Sequence, residues 1–373
     1  MDVNRYEQDV AALTPGHVVS ALALSGIDRS FSNATLYTWT LGLERKFGNL
    51  VGDAAYVGTA AEKLPRTGFP NAYPGASPSF APWTQFDSAG NVIGGFGVES
   101  VITSDSHSSY HALQTSLSGT VGHGGPGIQA GYTWSKSLDN TSLVGATGGT
   151  TSTGAVVSGL SQDPSDTHPE KAPSNFDATH NFSLSVAQDL HMEVWLRPVS
   201  RKFTFGWEML SISSISSGAP FTVYSGVQQT GYGANGSDRP DQIAKPHLST
   251  ARKVRADYFG EGSNNAVNFF SIPIHIPGGT GPNQGRFGTL GRDTFRGPAY
   301  YDYDFALIKD TPFGRRPSGT EGIDIQLRGE FFNLFNIVNM GLPANILAGS
   351  GFGEISKTAG TSRQIQFSLK LIY

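Results

Sequence analysis

The sequence predicts an all-β fold: an antiparallel transmembrane β-barrel, incomplete at about nine to ten strands, with long extracellular loops. Three observations predict it. Polar and apolar side chains alternate through segments of about ten residues, the mark of strands that face lipid on one side and a polar lumen on the other. Short and long connections take turns along the chain. No stretch of about 18 apolar residues occurs, which excludes a transmembrane helix.

Composition agrees. The 373 residues include 47 glycines, with Ser, Thr, Asn and aromatics plentiful. Such a mixture disfavours helices and suits strands joined by irregular loops. Charged residues are 15% of the chain, 26 basic against 30 acidic, a net charge of -4. A nucleic-acid binder would show a basic patch or stripe instead. There is no cysteine, hence no disulfide framework and no thiolate metal site. The first dozen residues carry Asp2, Arg5, Glu7 and Asp9 and no apolar core, so they are not read as a secretory signal.

Nine strands follow in order. Over 36–46, Tyr37, Trp39, Leu41 and Leu43 oppose Thr38, Thr40, Gly42 and Glu44. Strands over 50–58 and 107–119 come next. Over 127–136, Ile128, Ala130, Tyr132 and Trp134 oppose Gln129, Gly131, Thr133 and Ser135. Over 179–190, Phe182, Leu184 and Val186 oppose Asn181, Ser183 and Ser185. Over 203–216, Phe203, Phe205, Trp207 and Met209 face away from Thr204 and Glu208. Over 300–309, Tyr301, Tyr303, Phe305 and Leu307 face away from Asp302 and Asp304. Over 322–335, Ile323, Ile325, Leu327 and Phe331 oppose Asp324, Gln326, Arg328 and Glu330. The last, 363–373, sets Ile365, Phe367, Leu369, Leu371 and Tyr373 toward lipid, with Gln364, Gln366, Ser368 and Lys370 opposite. Only Ile372 breaks its polar side. Tyr132, Trp134, Tyr301 and Tyr373 fit the aromatic girdles of such barrels.

The connections at Gly48-Asn49 and Gly122 to Pro126 are tight, and those at His191 to Lys202 and Asp310 to Gly322 moderate. The alternate ones are long, at 59–106, 137–178 and 217–299, with 336–362 shorter. Outer-membrane barrels have short periplasmic turns and longer extracellular loops, which puts the C-terminus in the periplasm. A count of nine is odd where closure needs an even number. Residues 1–35 therefore read as an extracellular loop or incomplete upstream barrel segment, and 36–373 as the C-terminal part of the barrel. His17 to Gly26 is a weak candidate for a further strand.

Several segments together resemble TonB-dependent receptors of the Oar-like group. The most specific is Arg328-Gly329-Glu330-Phe331-Phe332-Asn333-Leu334-Phe335-Asn336. Phe352-Gly353-Glu354-Ile355 and Arg363 to Leu371 follow it. Upstream stand Tyr110 to Gln114, Tyr132 to Asp139, Phe176 to His180 and Ser217 to Val223. The resemblance implies a 22-stranded barrel with a plug in its lumen, energised through TonB. No plug segment or TonB box is read in this chain, so it is expected to be a fragment that is not active alone. The resemblance also implies that the terminal aromatic is read by the barrel-assembly machinery. Deleting Tyr373 is therefore expected to lower the amount of barrel assembled in outer membranes, scored by heat-modifiable gel migration. Unchanged assembly would remove this support.

Chemistry candidates read as structure. Gly122-x-Gly124-x-x-Gly127 has the letters of a dinucleotide fingerprint, but Pro126 and a strand follow instead of a helix. Asp163, Asp166, His168 and Glu170 lack the spacing of a calcium loop and read as a solvated acidic loop. Asp324, Arg328 and Glu330, with Asp302 and Asp304, read as lumen-facing residues, Arg328 able to pair with either neighbouring carboxylate. No catalytic residue, cofactor or metal site is expected. The reading is an outer-membrane receptor segment for an unidentified substrate, with outer-membrane lipid as its surroundings and no nucleic acid. A passive porin-like or translocator barrel and a soluble secreted β-sandwich are the alternatives.

Overall fold

The computed structural model describes residues 25–69, 84–86, 92–95, 100–143, 149–150, 155–163, 166–227, 229, 238–246, 248, 258–259, 268–273, 287–315 and 321–372. Nine long strands form one antiparallel meander: β1 (Thr35–Phe47), β2 (Leu50–Gly68), β3 (Ser100–Thr120), β4 (Gly127–Asp139), β5 (His180–Leu190), β6 (Trp207–Ser216), β7 (Tyr300–Arg315), β8 (Glu321–Phe332) and β9 (Gln364–Ile372). Each pairs with its neighbours in sequence, and β1 and β9 lie at the two open edges. This is the expected architecture, a sector of an antiparallel barrel that is not closed on itself.

The register carries the alternation across the whole sheet. One row runs Phe47, Leu50, Gly119, Ile128, Val186, Ser211, Phe305, Phe331, Ile365. Paired residues share a face, so this face is largely apolar from edge to edge, interrupted in this row by Gly119 and Ser211. The other holds Glu44, Asp53, Ser116, Gln129, Ser185, Asp304, Glu330 and Gln366. The apolar side chains are open to the surroundings: Leu43, Trp134, Phe367 and Leu369 are all exposed. A continuous apolar surface of this extent has no place in water.

The same row starts beside the turn at Phe47 and ends at Ile365, seven residues before Ile372. Taking the short-turn ends as one level, eight strand spacings sideways accompany roughly 23 Å along the strands, a tilt of about 30°. Membrane barrels tilt their strands by about 35–45°.

The turn between β1 and β2 explains one glycine. Gly119, at φ +132, lies against it. A β-carbon there would fall 2.1 Å from the Asn49 carbonyl oxygen. Gly119→Ala is expected to cost about 1–3 kcal/mol, read as a lower urea midpoint with the β spectrum retained.

Six boundaries differ from the sequence expectation. β2 and β3 run on to Gly68 and back to Ser100, because a bulge at Lys63 (φ 58) hides their pairing from any period-two pattern. β6 begins at Trp207; Phe203 lies in a one-turn helix, Arg201–Thr204, and Phe205 ends it. Their alternation is real but Gly206, at φ 77, turns the chain before the strand can start. β7 extends to Arg315 and β8 starts at Glu321, so their connection is shorter than read. β8 ends at Phe332, where Asn333 and Asn336 adopt φ of 49 and 52. Most of the candidate strand His17 to Gly26 lies outside the described residues. Its end enters a short parallel pairing, Ser25–Ile27 with β3, which adds no strand to the meander.

Candidate functional site: the polar face and its loop cap

The five charged residues singled out in the sequence share one face. Asp302 pairs in register with Ser214, Asp304 with Ile212, Glu330 with Ala306 and Gln366, Arg328 with Ile308 and Ser368, and Asp324 with Pro312 and Ile372. Arg328 chooses between its neighbours: Nη2 lies 2.9 Å from Glu330 Oε1, and no such pair forms with Asp324. Asp304 accepts the Asn333 backbone N–H at 2.9 Å, tying the end of β8 to β7. Gln326 donates to Asp310 at 3.0 Å. These contacts form a ladder along the strands. Ile212 and Ile308 interrupt its polarity. Ile365, Phe367, Leu369 and Leu371 lie on the opposite face, and Tyr373 lies outside the described residues.

The long-loop half of the apolar face carries a band of aromatics with satisfied polar ends. The Tyr56 hydroxyl and His111 Nδ1 are 2.8 Å apart, and the Tyr132 hydroxyl and His180 Nδ1 2.9 Å. Each pair also stacks. Trp39 and Trp134 stand in the same band, exposed. Amphipathic rings favour the boundary between hydrocarbon and headgroups.

The long connections build a second unit, a cap. Phe221, Tyr258, Phe259, Phe270, Phe295 and Phe352 form its centre, with Val223, Leu290, Met340, Leu342 and Ile355 packed among them. Phe259 makes edge contacts with Phe270 and Phe295 at 5.6 and 5.5 Å and stacks on Phe352 at 4.9 Å. The Tyr224 phenol is fully enclosed, and desolvation pushes it up to about 12; neutral, it accepts the Ser158 N–H at 3.1 Å.

Buried ion pairs hold the cap together and to the sheet. Arg239 meets Glu170 with two parallel bonds, at 2.7 and 2.9 Å, and the side chains are 3% and 1% exposed. Arg239 also donates to the Leu290 carbonyl at 2.8 Å. Glu170 further accepts the Gln162 N–H at 2.9 Å. Its burial corrects the expected solvated acidic loop: Asp166 and His168 are exposed as expected, but Glu170 is the anionic centre of the cap. Among the described residues no cluster fit to hold a metal occurs.

Two more arginines reach from the cap to the sheet, and a third pairs within the sheet. Arg292 joins Asp139, at the end of β4, to Asp293, and donates to Ser142 at 3.0 Å. Burial holds the Asp293 carboxyl above its ordinary range, though Arg292 beside it opposes this. Arg296 pairs with Asp177, which also accepts the Ser137 N–H at 2.6 Å. Arg66, on β2, pairs with Asp105 on β3. Ser135 and Ser137, on the polar face of β4, bond to Ala178 O at 2.9 Å and Ser174 Oγ at 2.8 Å. The cap thus folds inward over the long-loop end of the polar face and leaves the apolar face open.

Sequence reasoning missed the cap. Its partners lie 69 residues apart for Glu170 and Arg239 and 153 for Asp139 and Arg292, beyond any local pattern. The clustering of Phe, Arg and Gly in the long loops was the one available signal.

A family described as an outer membrane beta barrel domain matches residues 4–366. Among solved structures, the chain is similar to the outer membrane transporter YddB from Escherichia coli, at 11% identity, a TM-score of 0.45, and coverage of 95% of this chain and 34% of that one. It is also similar to the FrpB iron transporter from Neisseria meningitidis (F3-3 variant), at 10% identity, a TM-score of 0.37, and coverage of 92% and 32%. The chain spans about a third of the length of these structures. No curated protein matches it.

Proposed function

The chain belongs to the outer membrane beta barrel domain family and resides in the cell outer membrane, and from this premise we propose that it is a wall sector of a TonB-dependent receptor that takes up a substrate from outside the cell. The observation that carries the reading is the pairing of one largely apolar face, continuous across nine strands, with one polar face that a packed loop unit covers at one end. The apolar face meets lipid, and the polar face, with Asp302, Asp304, Asp324, Arg328 and Glu330, lines the lumen. The long-loop end is extracellular and the short-turn end periplasmic. The segments around Arg328 to Asn336 support the Oar-like group within these receptors. The barrel-assembly machinery recognises the last strand, and TonB contacts the portion of the receptor that fills the lumen.

The test is capture. Protein carrying these strands is extracted from outer membranes in mild detergent and passed over the immobilised periplasmic fragment of TonB. Retention, relieved by free fragment, is the expected result. Passage without retention would overturn the energised reading in favour of a passive barrel. Protease digestion of intact cells, expected to cut in the long connections and spare 191–206, tests the orientation separately.

A further inference from the structure

The connection from His191 to Gly206, at the short-turn end, is built unlike the two tight turns described at that end, Gly48-Asn49 and Val121 to Pro126. It carries two one-turn helices, Met192–Trp195 and Arg201–Thr204, and turns its apolar side chains outward. Trp195 is 87% exposed and Phe203 71%, with Val194, Leu196 and Val199 also open. Two hydrogen-bonded turns over such a short stretch could have buried these side chains against the strand ends; they do not.

Charge divides across this segment. A cleft of about 240 Å³ on its outer side is lined by Arg201, Lys202, Phe205, Lys309, Thr311 and Pro312, with no carboxylate among them. A second cleft, of about 230 Å³, gathers the acids: Asp189, Glu193, Glu208 and Asp310. In the basic cleft the Arg201 guanidinium stands over the Phe205 ring, 5.1 Å from its centre. Lys309 belongs to the apolar face by register, opposite Trp207 and Leu327. Its ammonium bends to the strand end, donating to Phe205 O, Asp310 O and Thr311 Oγ1 at 2.6, 2.9 and 3.0 Å, all neutral acceptors. Among the described residues no ion pair holds Arg201, Lys202 or Lys309.

We infer that this cleft binds the headgroup phosphate of an anionic phospholipid in the periplasmic leaflet. The occupant follows from three features. The cleft is continuous with the lipid-facing wall through Lys309 and Thr311. Its charge complements a phosphodiester, and Arg201 supplies the planar fork that suits one. Phe203, next to Lys202 in the chain, and Trp195, on the preceding one-turn helix, add exposed apolar surface to the same connection for acyl chains to meet. A soluble anion would use the cations and leave these side chains in water. The inference rests on the orientation given under the proposed function.

The full chain, purified in neutral detergent, is mixed with phosphatidylglycerol or phosphatidylcholine of equal chain length, and bound lipid is counted by native mass spectrometry. Phosphatidylglycerol is expected to be retained in preference. R201Q/K202Q is expected to weaken it about thirty-fold, each cation near an anionic surface contributing roughly five-fold. K171Q/K357Q, the same charge change on the cap, is expected to leave binding unchanged, and both doubles must keep the wild-type β spectrum. Should R201Q/K202Q lose that spectrum, preferential phosphatidylglycerol retention by the wild type, suppressed by a soluble phosphatidylglycerol headgroup analogue with a short acyl chain, stands as the supporting result. Equal retention of the two lipids, or an unaffected R201Q/K202Q, overturns the inference. Full competition by millimolar inorganic phosphate overturns it in favour of a free-anion site. Failure here with TonB capture intact sinks the cleft alone; loss of TonB capture with lipid selectivity intact sinks the receptor reading alone.

Discussion

Arg239→Ala is expected to destabilise the cap by about 3–5 kcal/mol, because it leaves the Glu170 carboxylate buried without its partner. The geometry is the reason for so large a figure. Both guanidinium bonds and the bond to Leu290 O disappear together, and Glu170 at 1% exposure cannot turn to water. The loss should be local. Limited proteolysis is expected to cut the long connections many times faster, while the strands remain protected. Replacing both partners, Arg239→Met with Glu170→Leu, should recover much of the stability, since no bare charge is then left behind. A double variant as fragile as Arg239→Ala alone would show that the pair also supplies specific geometry to Gln162, whose side chain accepts the Arg239 N–H at 2.8 Å.

Leu369→Arg is expected to cost about 2–4 kcal/mol of insertion stability, the penalty for a cation at the bilayer midplane on a barrel's outer face. Leu369 sits at the middle of β9, is 64% exposed, and pairs with Leu327, itself exposed on the same face. Gln366→Arg, three residues away on the polar face beside Glu330, should cost far less. Urea titrations, in lipid vesicles, of the receptor that carries these strands read the difference. Equal costs would mean that the two faces meet similar surroundings, as in a soluble sandwich.

The strands were legible because alternation is a local property. Tyr37 to Leu43 and Ile365 to Leu371 declare their faces within a few residues, and pairing only extends that declaration sideways. Legibility failed where the backbone leaves the extended region. Lys63 breaks the period inside β2, Gly206 delays β6, and Asn333 ends β8 with its amide bonded to Ile337 O and Thr361 O. It failed entirely for the cap, whose arginines look like scattered surface charges until the strands bring their partners together. By register the charged residues of the polar face share one side of the sheet. Counting could not show that Arg328 takes Glu330 as its partner, nor that Lys309 departs from its apolar neighbours to reach the strand end.

The open edges of the sheet bear on the kinetics of insertion. About every second residue of β1 and of β9 turns its N–H and C=O away from the sheet. In hydrocarbon each such group left alone costs several kcal/mol. An inserted state with these nine strands and both edges bare would lie far above either the unfolded or the completed barrel. Such a species cannot accumulate. Membrane entry is therefore all-or-none: no strand stays inserted until partners cover both edges, and in a pulse-labelled population the strands should pass from protease-sensitive to protected with no intermediate, while the long connections remain cleavable throughout.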